Sequence, residues 1–159
     1  MNAAMIAFGS EHFDAMHVIS IAAGAADVSR GSAVIRTGPH WAFPALRRVC
    51  CTSEQSTQIV AAWNSLPAAE QARCHEPGFA IELFRGSESV FVAALCWRCN
   101  NISIGGALAT TDWRVFDARS VAALNLLKSV PTRHCQCQLT SACNRRSETL
   151  ARLKRSVGL

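Results

Sequence analysis

Charge is what this sequence has least of. Only 17% of its 159 residues are Asp, Glu, Lys or Arg while 50% are hydrophobic, which excludes the low-hydrophobicity, high-charge composition of a disordered chain. Lysine is nearly missing: of 16 basic residues only Lys128 and Lys154 are not arginine, a bias that fits a GC-rich coding sequence better than a set of phosphate forks. No apolar run approaches the roughly 20 residues of a membrane span, and no internal repeat is present. No Lys or Arg precedes Arg30. The apolar stretch Phe13 to Ala26 ends in a small-residue site at Ala23-Gly24-Ala25, but it lacks the positive n-region of an export signal and has acids, Glu11 and Asp14, at its start instead. The balance favours the cytoplasm over export and leaves the compartment open. Also missing are a G-x-S-x-G elbow, a glycine-rich phosphate loop and an H-E-x-x-H helix, so no catalytic residue is nominated by motif and the reading leans away from an enzyme.

What is present bounds a single folded domain. A chain of this length buries roughly 68–70% of the surface it would expose unfolded, enough for one core without staples. The net charge of +5 is unevenly placed: residues 1–127 hold nine basic and ten acidic residues, net −1, and residues 128–159 hold seven and one, net +6. A basic terminal segment is a candidate polyanion contact, and the body carries no such signal. Eight cysteines, at 50, 51, 74, 96, 99, 135, 137 and 143, are about 5% of the chain, above ordinary usage and below a disulfide scaffold.

Three regions follow. Residues 1–33, rich in Ala, Gly and Ser, read as a poorly ordered extension or a short helix near 13–23; His12 and His17, five apart, do not share a helix face and read as solvated. Residues 34–131 read as the domain. Ser32 to Thr37 and Leu46 to Cys51 are strand-like and separated by the breakers Gly38, Pro39 and Pro44. Thr52 with Gln55 has capping-box form, and Ile59, Trp63 and Leu66 then mark the buried stripe of a helix that Pro67 stops. Phe79 to Phe84 and Val90 to Trp97 form a hairpin across Arg85 to Ser89. Ile102 to Ile104 and Trp113 to Phe116 add two short strands. Asp117 stands as N-cap for a helix through Ser129, with Val121, Leu124, Leu127 and Val130 as its apolar side. The fold class is α+β, an antiparallel sheet of four to five strands with two main helices on one face. Residues 132–159 read as a basic, Cys-containing tail with a short amphipathic helix on Leu150, Leu153 and Val157.

The hairpin brings thiols together. With Ser87-Glu88 as its loop, Glu76 faces Cys99, His75 faces Asn100 and Cys74 faces Asn101, and a slip of one residue would leave the clustering intact. Cys74, His75, Cys96 and Cys99 then form one corner and are the candidate metal ligands, for a structural zinc. Cys96 and Cys99, three apart, lie on opposite faces of a regular strand and can act together only through a turn at Trp97-Arg98, where neither Gly nor Pro stands. Three readings stay open: buried or quiet thiols, a disulfide from the Cys74 region to Cys96 or Cys99, and metal. A redox C-x-x-C would want its first thiolate at a helix N-terminus, and Asn100 to Gly106 is β-prone instead. His40 beside Trp41 and Asp112 beside Trp113 lack catalytic partners at recognisable spacing. His134, Cys135, Cys137 and Cys143 read as surface thiols, and Cys50-Cys51 as core and edge.

Cys74, Pro77, Cys96, Trp97, Cys99 and Asn100, an upstream Cys before a proline-led strand and then a strand ending in C-aromatic-x-C-N, resemble a set of small bacterial proteins that carry no assigned activity. The resemblance spans about residues 46–130 and implies bacterial origin and the α+β class. The expected role is a non-enzymatic binding or accessory domain with a structural cysteine corner and a protein partner. The alternatives are a thiol–disulfide redox protein using Cys96 and Cys99, and a zinc-stabilised module that binds nucleic acid through the tail.

Overall fold

The computed structural model describes residues 13–22, 34–37, 41–70 and 74–131; the tail and its helix, His12, His40, Cys135, Cys137 and Cys143 lie outside them. The chain runs β1 (Ala15–Ile21), β2 (Val34–Thr37), β3 (Trp41–Cys50), α1 (Ser53–Asn64), β4 (Phe79–Arg85), β5 (Glu88–Cys96), β6 (Asn101–Gly105), β7 (Trp113–Val115) and α2 (Val121–Ser129). The class is α+β, but the sheet has 7 strands in the order β2-β3-β1-β4-β5-β6-β7, all pairs antiparallel, rather than four to five.

The correction comes mainly from β1, where the short helix was expected. It lies between β3 and β4 and is covered on both faces, so its side chains do not alternate between apolar and polar and the strand period is hidden. Pro44 is a second cause. It sits inside β3, where the strand stops pairing with β2 and starts pairing with β1; its missing N–H is needed by neither ladder, and its carbonyl accepts the Ala22 amide at 3.2 Å. Leu46 is then the extra residue of a bulge, since Ser20 pairs with Arg47 and Ile21 with Ala45.

The two faces of the sheet are closed differently. On one, Ile59 and Trp63 of α1, Leu66 just beyond its end, and Ala123 and Leu126 of α2 pack on Met16, Val18, Ile81, Leu83, Phe91 and Leu95. The capping box forms as read, with the Gln55 amide donating to Thr52 Oγ1 (3.2 Å) and the Thr52 amide to Gln55 Oε1 (2.9 Å). On the other face the sheet curls until β2 lies over β5 and β6. Ile19, Ile21, Ile35, Ala80, Val92 and Ala94 fill that inner space.

Helix α2 differs from its sequence reading in two ways. Its N-cap is Ser120, whose hydroxyl accepts the Ala123 amide (3.2 Å), while Asp117 closes a turn by accepting the Arg119 amide (2.9 Å). Its buried stripe is Ala123 and Leu126, and Val121, Leu124 and Leu127 are 74%, 45% and 44% exposed. Both stripes have helical spacing, and the one turned to the core, on the side where α2 meets α1, is Ala123 and Leu126.

Candidate functional site: the His75 seam

The curl brings the two ends of the sheet together, and His75 sits where they meet. The β4–β5 turn is Gly86-Ser87, one residue earlier than expected, because Gly86 takes the left-handed position with φ 60°. Val90 is then an extra residue in β5, so Phe84 pairs with Ser89 but Leu83 with Phe91. Cys96 pairs with Asn101, and Trp97 to Asn100 form the tight turn needed to bring Cys99 round. Asn100, with φ 54°, supplies the left-handed residue that glycine would otherwise provide.

That turn sorts the four predicted residues. Cys74 and Cys99 stand at disulfide distance, Cα atoms 5.7 Å apart; Cys74 is exposed and Cys99 fully buried. Cys96, also fully buried, is outside the pair and accepts the Glu76 amide at 3.3 Å. The redox reading had paired Cys99 with Cys96, whereas here its partner is Cys74. The Arg98–Glu76 contact over the corner, at 3.7 Å between largely exposed groups, contributes little. His75 turns away from the sulfurs and has both ring nitrogens bonded, Nδ1 to Asn101 Oδ1 at 2.6 Å and Nε2 to Ser103 Oγ at 2.9 Å. Among the described residues no group of three or more His, Cys, Asp or Glu is placed to hold a metal ion.

The direction of this network follows from its ends. Asn101 Nδ2 donates to the Cys74 carbonyl at 2.6 Å, which leaves Oδ1 as acceptor. His75 therefore carries its proton on Nδ1, and Nε2 accepts from the Ser103 hydroxyl. The Ser103 oxygen in turn accepts from Thr37 Oγ1, 2.6 Å away on β2. One directed chain thus runs Thr37, Ser103, His75, Asn101 and the Cys74 backbone, tying β2, β6 and the Cys74 loop together. Burial pushes the His75 pKa below its ordinary value, with the Asn101 bond opposing part of that shift, and a neutral imidazole is the form this network requires.

Serine, histidine and asparagine here have the bonding order of a nucleophile, a base and an orienting group. Ser103, however, is 0% exposed in the middle of β6, and an acyl carbon cannot approach its oxygen. The arrangement locks the sheet closed. What it presents outward is aromatic: Trp41, Phe43 and Trp113 set their rings around the imidazole at centroid distances of 5.1, 5.5 and 4.8 Å, all roughly edge-to-face. Trp41 and Phe43 are nearly parallel (7°, 6.2 Å), Trp113 lies 6.0 Å from Trp41, and Trp41 is 40% exposed.

Sequence reasoning passed over Trp41 and Trp113 because it sought catalytic partners beside them in the chain, and their partner, His75, is brought in by the curl. Asn101 and Ser103 did carry a signal. Polar residues at i and i+2 between Ile102 and Ile104 put two hydrogen-bonding groups on one face of a strand, and here both faces are buried. No family model, curated protein or solved structure matches this chain.

Proposed function

We propose that the protein is a non-enzymatic binding domain that presents the Trp41, Phe43 and Trp113 rings to a planar, ring-bearing ligand, with a Cys74–Cys99 disulfide clamping the loop that carries His75. The observation that carries this reading is the commitment of both His75 nitrogens to internal hydrogen bonds. The imidazole has no proton left to trade with a substrate, and its use is to fix the surrounding rings. Aromatic surface held in place before binding loses little entropy when a ligand arrives, and a half-exposed tryptophan flanked by other rings suits stacking.

Titration with indole and with adenosine, followed by tryptophan fluorescence, tests this. A saturable change is expected, and Trp41→Ala or Trp113→Ala should weaken it by about tenfold, the loss of roughly 1.4 kcal/mol of ring contact. A signal that does not saturate with either compound, or an affinity unchanged in both variants, would sink the reading.

A further inference from the structure

The segment that carries His75 is held less firmly than the strands beside it. Between Pro67, whose carbonyl accepts the Asp117 amide at 3.0 Å, and Gly78, whose amide donates to the Leu95 carbonyl at 3.2 Å, its described residues form neither strand nor helix. Pro77 is buried and the Glu76 amide meets the Cys96 sulfur. Cys74 and His75 are both held from one side chain: Asn101 Nδ2 donates to the Cys74 carbonyl and Asn101 Oδ1 accepts from His75, with Ser103 on the other side of the ring. Those ties are hydrogen bonds, for which water competes. The covalent tie is the Cys74–Cys99 bond, and its two ends are unequal. Cys99 is 0% exposed in the turn after β5, whereas Cys74 is exposed, so a thiolate arriving from solution meets Cys74 first. His17 is the contrast. Read from the sequence as solvated, it lies in β1 between β3 and β4, with its ring against Phe84 at 4.8 Å. Burial first, and the Arg48 charge second, hold its pKa down at about 4. At neutral pH it is an uncharged ring fixed by the sheet rather than by a loop.

We infer that the Cys74–Cys99 bond is a thiol-operated latch on the aromatic seam, with Cys74 as the modification site at which a small thiol opens it and His75 as the group it releases. The thiolate of a small thiol such as glutathione attacks the Cys74 sulfur. A new sulfur–sulfur bond forms as the Cys74–Cys99 bond breaks, and Cys99 leaves with the electron pair and takes a proton from water. A second thiolate then attacks the glutathione sulfur of this mixed disulfide, and Cys74 leaves as a thiolate that is protonated in turn. Two small thiols are oxidised to one disulfide while the protein disulfide is reduced to two thiols. With Cys74 untied, its carbonyl no longer stays opposite the Asn101 amide, and His75, the next residue, loses the support that fixes its ring. The Trp41, Phe43 and Trp113 rings are set around that imidazole, so the seam is preorganised only while the latch is shut. This consequence for binding rests on the function proposed above; the release of His75 does not.

The test uses the full-length protein, oxidised and reduced, with the histidine ring nitrogens followed by NMR. In the oxidised protein His75 should show a single tautomer, protonated on Nδ1. Reduction should turn it into a mixture of tautomers and leave the His17 ring signals unmoved, and Cys74→Ser should reproduce the reduced His75 spectrum without reductant. Brief treatment with glutathione, quenched with acid and read by peptide mass spectrometry, should place the adduct on Cys74. Titration with indole and adenosine should show affinity falling with the fraction of molecules that stay latched, about fivefold if one in five does. A His75 spectrum unchanged by reduction or by Cys74→Ser overturns the inference, as does an adduct on Cys99. His17 and His75 changing together would also overturn it, because the bond would then be a staple of the whole domain. If the oxidised protein binds neither compound, the seam reading fails while the His75 spectrum still decides the latch; if both forms bind equally well, the seam reading stands and the latch on it falls.

Discussion

Reducing the Cys74–Cys99 pair should destabilise this domain by an amount that can be worked from its position. The two cysteines are 25 residues apart. In the chain-entropy treatment, opening a loop of that length gives the unfolded state about 11.7 cal/mol/K, or about 3.5 kcal/mol at 25 °C. For a chain of this size that is a fall in Tm of about 7–14 °C. The two single variants separate the cross-link from the packing. Cys74 is exposed, so Cys74→Ser should lose the cross-link alone and match wild-type protein in dithiothreitol. Cys99 is fully buried, and Cys99→Ser should cost about 1–3 kcal/mol more because its hydroxyl is desolvated. The assay is urea and thermal unfolding with and without dithiothreitol, alongside thiol counting in denaturant. Reduction should expose two additional thiols in wild type and leave the unfolding midpoint of Cys74→Ser unmoved. Two newly counted thiols with no shift in the wild-type midpoint would refute the reasoning, and no rise in the count would refute the bond itself.

Gly106→Ala should be among the costliest small substitutions. At φ 105° an added Cβ would meet the Val90 oxygen at 2.6 Å and Phe91 Cα at 2.7 Å, both backbone, and a loss of about 2–5 kcal/mol is expected in urea titration. Thr52→Ala removes the capping-box hydroxyl of α1 and should cost about 1 kcal/mol, read from the same curves. Stability should also fall with acidification. His17 binds its proton near pH 6.5 when unfolded and only at about 4 when folded, so the unfolded state takes up protons first. The native advantage is complete above pH 6.5 and is lost as pH falls towards 4. The shift is worth about 3.4 kcal/mol in full and roughly 1–2 kcal/mol once partial exposure of the ring is allowed for, and His75 acts in the same direction. Comparing wild type with His17→Gln at pH 7.5 and pH 5 checks this, and equal pH dependence would contradict it.

Elements whose residues alternate or cap by local rules were legible in the sequence. The Thr52–Gln55 box, the Ile59-Trp63-Leu66 stripe and the β4–β5 hairpin all depend on neighbours within a few positions. β1 was not legible, because a strand covered on both faces loses its polar alternation and its apolar run resembles an export signal. Neither was α2's buried stripe, since two apolar stripes of equal period competed and the deciding contact with α1 lies far away in the chain. The thiol corner was legible as a cluster but not as a pairing. That turned on Asn100 adopting a left-handed conformation, which Asn does far more readily than most residues. The aromatic seam needed the curl itself, and the curl is set by β3 changing partners at Pro44.

The same curl bears on how the molecule behaves among its own copies. An open antiparallel sheet ends in two rows of unpaired amides and carbonyls that can recruit further strands. Here one outer strand, β2, has four residues and is folded over β5 and β6, and the other, β7, has three. A seven-stranded sheet is thereby left with only short edges among the described residues. Opening the Thr37–Ser103 contact would free β2 to pair outward, and Thr37→Val should show this as earlier aggregation on heating, before any loss of helix signal.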